Sequence, residues 1–177
     1  MYKKFAFLSA ACFITLFTAA QNTKPVTAPA GRPVYNFTTI NSNLKYVFVE
    51  NRPTTAHPQE GDDVMLHMIA ICNNRFMYNS AQLNKGQPGA FSLSKPGFKG
   101  DIMEALVLMT PGDSIICLAD AKSVFDYSKK KLPDYIKPGD KVQYNIRLVS
   151  IKPKAQILKE QQEAILKATQ GLQEPKQ

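Results

Sequence analysis

The clearest pattern along the chain is a strict alternation in Lys141–Leu148. Val142, Tyr144, Ile146 and Leu148 are apolar, and Lys141, Gln143, Asn145 and Arg147 between them are polar. Successive strand side chains point to opposite faces, so this spacing predicts a half-exposed strand with one face on a core. Val64–Cys72 (VMLHMIAIC) is nearly continuous in apolar residues, which predicts a strand covered on one face and partly packed on the other. Leu44–Asn51 reads as a strand of mixed burial, and Arg75–Ser80 and Ala90–Ser94 as short ones. Asn73-Asn74 marks a turn, and 81–89 a loop. The period changes at Ile102, Ala105, Leu106 and Met109, whose spacing predicts the domain's one helix. Asp101 and Glu104 stand at its start with capping-box spacing. Thr110-Pro111-Gly112-Asp113 ends it in a type II turn.

Gly-Asp pairs open three of the apolar runs, at Gly61-Asp62, Gly112-Asp113 and Gly139-Asp140. They do not recur at a fixed interval, and the segments between them differ in kind, which excludes a stacked-repeat architecture. They predict three strands of one antiparallel sheet, each launched by a tight turn. The pattern as a whole is that of a single α+β domain with its helix laid across the sheet.

The two ends stand apart from this domain. Tyr2-Lys3-Lys4 is a short basic region, Phe5–Ala20 is apolar and uncharged, and polar residues follow from Gln21. That order predicts an export signal over 1–20, with small residues at Thr18 and Ala20 ahead of the cleavage point. The competing reading is an uncleaved membrane anchor, although spanning normally takes about 20 apolar residues. Residues 21–42 are rich in Pro, Thr, Ala and Asn without periodicity and predict a flexible leader. Residues 153–177 predict a helical tail. Leu158, Ile165, Ala168 and Leu172 form a narrow stripe that Gln161 interrupts, with Pro153 ahead and Gly171 and Pro175 at its end. The tail is expected either to dock on its own domain or stand in solvent, or to support a weak self-association.

Charge and cysteine usage narrow the partners. The chain is basic, +8 at pH 7, but its positive residues are dispersed and Lys129-Lys130-Lys131 is the one run of three. No aromatic ladder accompanies them, so no nucleic-acid partner is expected. Cys72 and Cys117 fall in apolar strand-like runs and are expected as buried free thiols. His57 has no Cys or His neighbour at metal-ligand spacing, and His67 alternates out of the buried set of its strand. Neither a metal nor a cofactor is expected.

Taken in order, the segments GDDVMLHMIAI, YNS, a loop, Phe91, GFKGDIMEALVLMTPGDSIICLAD, Phe125, a Leu-Pro loop and KVQYNIRLVSI resemble the FKBP-type peptidyl-prolyl isomerases. The family's corresponding elements are V-x-V-H-Y, F-D-S-S, V-I-x-G before a helix with M-x-x-G-E, and L-x-F-x-V-E-L. His67 and Met109-x-x-Gly112 fall in the matching places. The resemblance covers Asn43 to Lys152 and implies, over 43–152, an FKBP-like twisted antiparallel sheet wrapped across one short helix. It also implies a proline-binding groove, with Tyr78, Asn79, Phe98 and Phe125 as catalytic groups. Met68, Phe91, Ile102 and Tyr144 would be its substrate-binding groups. Tyr78 and Asn79 stand at the Phe and Asp of F-D-S. Phe98 stands at the Ile of V-I-x-G and would offer its backbone N–H to the peptide carbonyl. Phe125 stands at a tyrosine whose hydroxyl it lacks, and Met68 at the tyrosine after the strand histidine. The chain has no Trp, and Ile102 or Asp101 takes the place of the family's Trp floor.

The implied chemistry needs no nucleophile. Turning an X-Pro amide costs about 18–20 kcal/mol because conjugation is lost. An apolar, water-poor groove favours the twisted amide over the more dipolar planar one. Two functions follow as expectations. One is an exported isomerase of the periplasm or cell envelope acting on proline-containing polypeptides. The other is a catalytically weak or inactive chaperone-like module that binds unfolded or proline-containing segments.

Overall fold

The computed structural model describes residues 26–27, 33–52, 54 and 56–171. The expected export segment and most of the expected leader lie outside the described residues. In chain order the strands are β1 (Val26–Thr27), β2 (Pro33–Val34), β3 (Thr38–Asn41), β4 (Leu44–Glu50), β5 (Asp63–Cys72), β6 (Arg75–Asn79), β7 (Gly89–Ser92), β8 (Ser114–Asp120) and β9 (Lys141–Lys152). The helices are α1 (Ser80–Leu83), α2 (Met103–Leu106), α3 (Ala121–Tyr127) and α4 (Lys154–Gly171). β1 and β2 pair with each other, and the rest form one antiparallel sheet in the order β3-β4-β8-β9-β5-β6 with β7 also on β5. The expected α+β class is what the chain adopts: an antiparallel sheet, short helices packed on one face, and a C-terminal helix.

Alternation builds the two central strands. In β5, Val64, Leu66, Met68, Ala70 and Cys72 are buried while Met65, His67, Ile69 and Ile71 are half-buried on the other face. In β9, Val142, Ile146 and Leu148 are buried with Tyr144 partly covered among them. β5 carries β9 along one edge and, on the other, β7 opposite Asp63–Leu66 and then β6 opposite Ile69–Cys72. Met68 falls at the break between those two partners. Its N–H donates to the hydroxyl of buried Ser80, at 2.9 Å, so the gap leaves no orphan donor. The β5–β6 corner is turned by Asn73 and Asn74, both at positive φ (48° and 61°), which asparagine tolerates better than most residues.

The three Gly-Asp pairs prove to be one turn made three times. The Asp62, Asp113 and Asp140 N–H groups donate to the carbonyls of Gln59, Thr110 and Lys137, three residues back, at 3.0, 3.0 and 3.1 Å. Each glycine before them has φ between +91° and +95°, as a type II turn demands of its third residue. Each carboxylate then accepts the N–H of the turn's first residue, at 2.9, 2.7 and 2.7 Å. It also accepts a donor from a distant segment. Asp62 takes the Lys154 N–H at 2.9 Å, Asp113 the Arg52 N–H, and Asp140 the Asn73 amide at 2.6 Å. Those donors lie just past β9, β4 and β5, the strands with which β5, β8 and β9 respectively pair.

Four features depart from the sequence expectations. β3 falls inside the expected leader, so the sheet begins at Thr38, ahead of the expected boundary at 43. An edge strand partnered on one side needs no alternation to be held. α1 and α3 stand where a loop and an unassigned stretch were expected. The stripe Ala105, Leu106 and Met109 is buried as predicted, yet regular helix covers only Met103–Leu106. The capping box there is displaced: Glu104 Oε1 accepts the Gly100 N–H at 2.8 Å, and Asp101 Oδ1 accepts the Met103 N–H at 3.1 Å.

α4 is helical as the tail's composition predicts, and its apolar residues remain largely in solvent: Leu158 is 48% exposed and Ile165 66%. No helix among the described residues is long and apolar enough to cross a membrane. Cys72 and Cys117 are buried free thiols. Burial pushes the Cys117 thiol up to about 12.

Candidate functional site

One row of cross-strand partners runs over the helix-covered face as Tyr46, Cys117, Tyr144, Ala70 and Tyr78. Directly opposite residues of paired strands share a face. Two small side chains therefore separate three tyrosines, and the sheet surface is hollowed on either side of Tyr144. Above it lies a groove of about 340 Å³. Its floor is Tyr144, Met68 of the neighbouring row and Phe91 of β7. One wall is the segment from Ser94 to Met103, contributing Phe98, Asp101 and Ile102, and the other is α3 with Val124 and Tyr127.

The walls are placed by side-chain hydrogen bonds. Asp120 caps α3, accepting the Ser123 N–H at 3.0 Å and its hydroxyl at 2.9 Å. The Asn43 amide donates to the Lys99 carbonyl at 3.2 Å and the Ser123 hydroxyl at 3.3 Å, tying both walls to the β3–β4 turn. Gly100, at φ +99°, packs so closely there that an added Cβ would lie 2.6 Å from Asn43 Cβ. The Asn41 amide donates to Glu104 Oε2 at 2.7 Å while Glu104 Oε1 holds the Gly100 N–H. Asp101 Oδ2 accepts the Gly97 N–H at 2.9 Å.

At the mouth the Phe98 and Tyr127 rings stack, with centroids 5.0 Å apart and planes at 35°. Tyr127 lies so tightly on Gly97 that a Cβ there would stand 2.3 Å from its Cζ. On the floor, burial and, after it, the Asp101 carboxylate push the Tyr144 phenol up to about 12. It keeps its proton at neutral pH and remains a donor.

The structure brings Met68, Phe91, Phe98, Ile102 and Tyr144 together in this groove, with Asp101 beside them. It does not bring the other three. Asn79 is the N-cap of α1, its Oδ1 accepting the Ala81 N–H at 3.0 Å, and its partner Ile69 belongs to the opposite sheet face. Phe125 points into a second core with Ala70, Cys72, Ala121, Ile136 and Val142. Tyr78 packs edge-on behind Phe91, 6.3 Å between centroids, without lining the groove. Sequence reasoning missed Tyr127 and Val124, whose spacing of three puts them on one face of α3. Tyr127, two residues after Phe125, puts a tyrosine ring at the mouth of the groove.

A larger hollow of about 480 Å³ lies on the other sheet face, where His67, Ile69, Asn145 and Arg147 meet Tyr35 and Val49. It is more open, and no helix among the described residues lines it. Among the described residues no group of three or more His, Cys, Asp or Glu could hold a metal ion.

No protein-family model matches the chain, and no curated protein does. Its structure is similar to the crystal structure of FkpA from Escherichia coli, at 20% identity and a TM-score of 0.49, over 76% of this chain and 55% of that one. It is also similar to a peptidyl-prolyl cis-trans isomerase from Pseudomonas syringae pv. tomato str. DC3000, at 16% identity and a TM-score of 0.47, over 62% of this chain and 76% of that one. The chain thus spans little more than half the length of FkpA.

Proposed function

We propose that the groove binds proline-containing polypeptide and eases rotation about the X-Pro bond, as an exported isomerase assisting protein folding. The observation that supports this most is the groove itself, an apolar trough with aromatic rings on its floor and at its mouth. Such a surface desolvates the amide, and the planar, dipolar ground state loses more by that than the twisted state does. Three donors suit the substrate's carbonyls: the Phe98 N–H, which has no partner among the described residues, and the Tyr127 and Tyr144 hydroxyls. The export segment predicted over 1–20 belongs to this reading and would place the protein in the periplasm or cell envelope.

A second reading is a binding module without appreciable turnover. The position of Asn79 favours it, because a group implied as catalytic is engaged as a helix cap instead. Cis-to-trans rates of a short Leu-Pro peptide, with and without the purified protein, separate the two. Acceleration that falls at least tenfold in Phe98→Ala, in a variant that unfolds at the same temperature, supports the isomerase. Peptide binding with no acceleration selects the binding module.

A further inference from the structure

Both rims of the groove carry lysine. Lys95 follows Ser94, Lys99 lies between Phe98 and Gly100, and Lys129 follows Ser128, all of them residues that line the groove. Lys130 and Lys131 come next in the chain. All five are exposed, and the ion pairs among the described residues use Lys122, Lys141, Lys152 and Arg52 instead. The two acids of the wall segments are engaged elsewhere. Asp126 is paired with Lys122 on α3. Asp101 lies within the groove, with its two oxygens accepting the Gly97 and Met103 N–H groups. Charge is thus sorted by depth, with exposed lysines flanking both walls of an apolar trough whose lining holds a single carboxylate.

Building on the groove's reading as a polypeptide site, we propose that it selects segments whose acidic residues flank the bound apolar or prolyl residue without occupying its place. Glutamate or aspartate to either side meets a lysine rim, whereas a carboxylate at the centre meets Asp101 and an apolar floor. One exposed pair contributes little. Several like charges around a cleft raise the local concentration of an oppositely charged ligand and its rate of arrival. The selection is therefore electrostatic in origin and salt-sensitive, and separate from the apolar contact that holds the central residue.

Three fluorescent peptides with one Leu-Pro core and Glu, Gln or Lys on both sides test this by binding to the full protein. At low salt the Glu peptide is expected to bind about three- to tenfold more tightly than the Gln peptide, and the Lys peptide more weakly than either. The difference should vanish near 1 M salt, where the screening length is about 3 Å. It should also vanish in a Lys95→Gln, Lys99→Gln, Lys129→Gln, Lys130→Gln, Lys131→Gln variant, with binding of the Gln peptide retained. Equal binding of the three peptides, or a preference that survives in that variant, overturns charge selection while leaving the groove's reading intact. Binding of none of them overturns both.

Discussion

The floor of the groove and its walls are built by different means. Tyr144 and Met68 are fixed by the hydrogen-bonded ladder of β5 and β9, in which each residue's place follows from its neighbours' register. Phe98, Tyr127 and Asp101 sit on short segments held by a handful of side-chain hydrogen bonds from Asn41, Asn43, Glu104 and Asp120. A floor held by a ladder and walls held by single side-chain bonds should fail separately.

The largest effect should come from the core beneath the floor. Leu66→Ala removes a side chain 1% exposed in the main core and should cost about 2–5 kcal/mol, read from urea unfolding. The floor and walls would then be lost together. Asn43→Ala should be smaller and local, about 1 kcal/mol. Amide exchange should quicken in 97–103 and 121–127 and stay unchanged in β5 and β9. Uniform acceleration throughout the sheet would mean that floor and walls are one cooperative unit after all.

The smallest effect concerns the Tyr144 phenol, held at about 12 chiefly by burial against an ordinary value of about 10. Its folded-state value is raised, so its contribution to stability is whole below about pH 10 and is lost as pH climbs towards 12. Urea midpoints from pH 9 to 11 should fall less steeply in Tyr144→Phe than in the parent protein. Equal slopes would place the phenol in a more solvated setting than the groove floor.

The same division decides what could be read in the sequence. β9 was legible from its alternation, β5 from its nearly continuous apolar run and β8 from the Gly-Asp pair that opens it, and Met68 and Tyr144 came with β5 and β9. The walls were less so. α3 is seven residues long, with Phe125 facing one core and Val124 and Tyr127 the groove, so no stripe announces it. Phe125 lies in a core there, and Tyr127, two residues on, lines the mouth. Asn79 lies away from the groove for another reason: it pairs with Ile69 on the opposite sheet face and caps the helix that begins at Ser80. Side-chain hydrogen bonds between segments 56 and 80 residues apart, such as those of Asn43, leave no local pattern.

The thrice-made turn bears on how the chain finds its pairing. Each closes within four residues, whereas its carboxylate's other partner lies 92, 61 or 67 residues away. Short loops close in about 10–100 ns, long before strands so distant in the chain can meet. The unfolded chain can therefore carry three ready-made corners, each presenting an acceptor at the end of a ladder not yet formed. A strand that docks one residue out of step leaves that acceptor without its donor. Asp62 and Asp113, both buried, thus set a cost on a slipped sheet that a correct one does not bear.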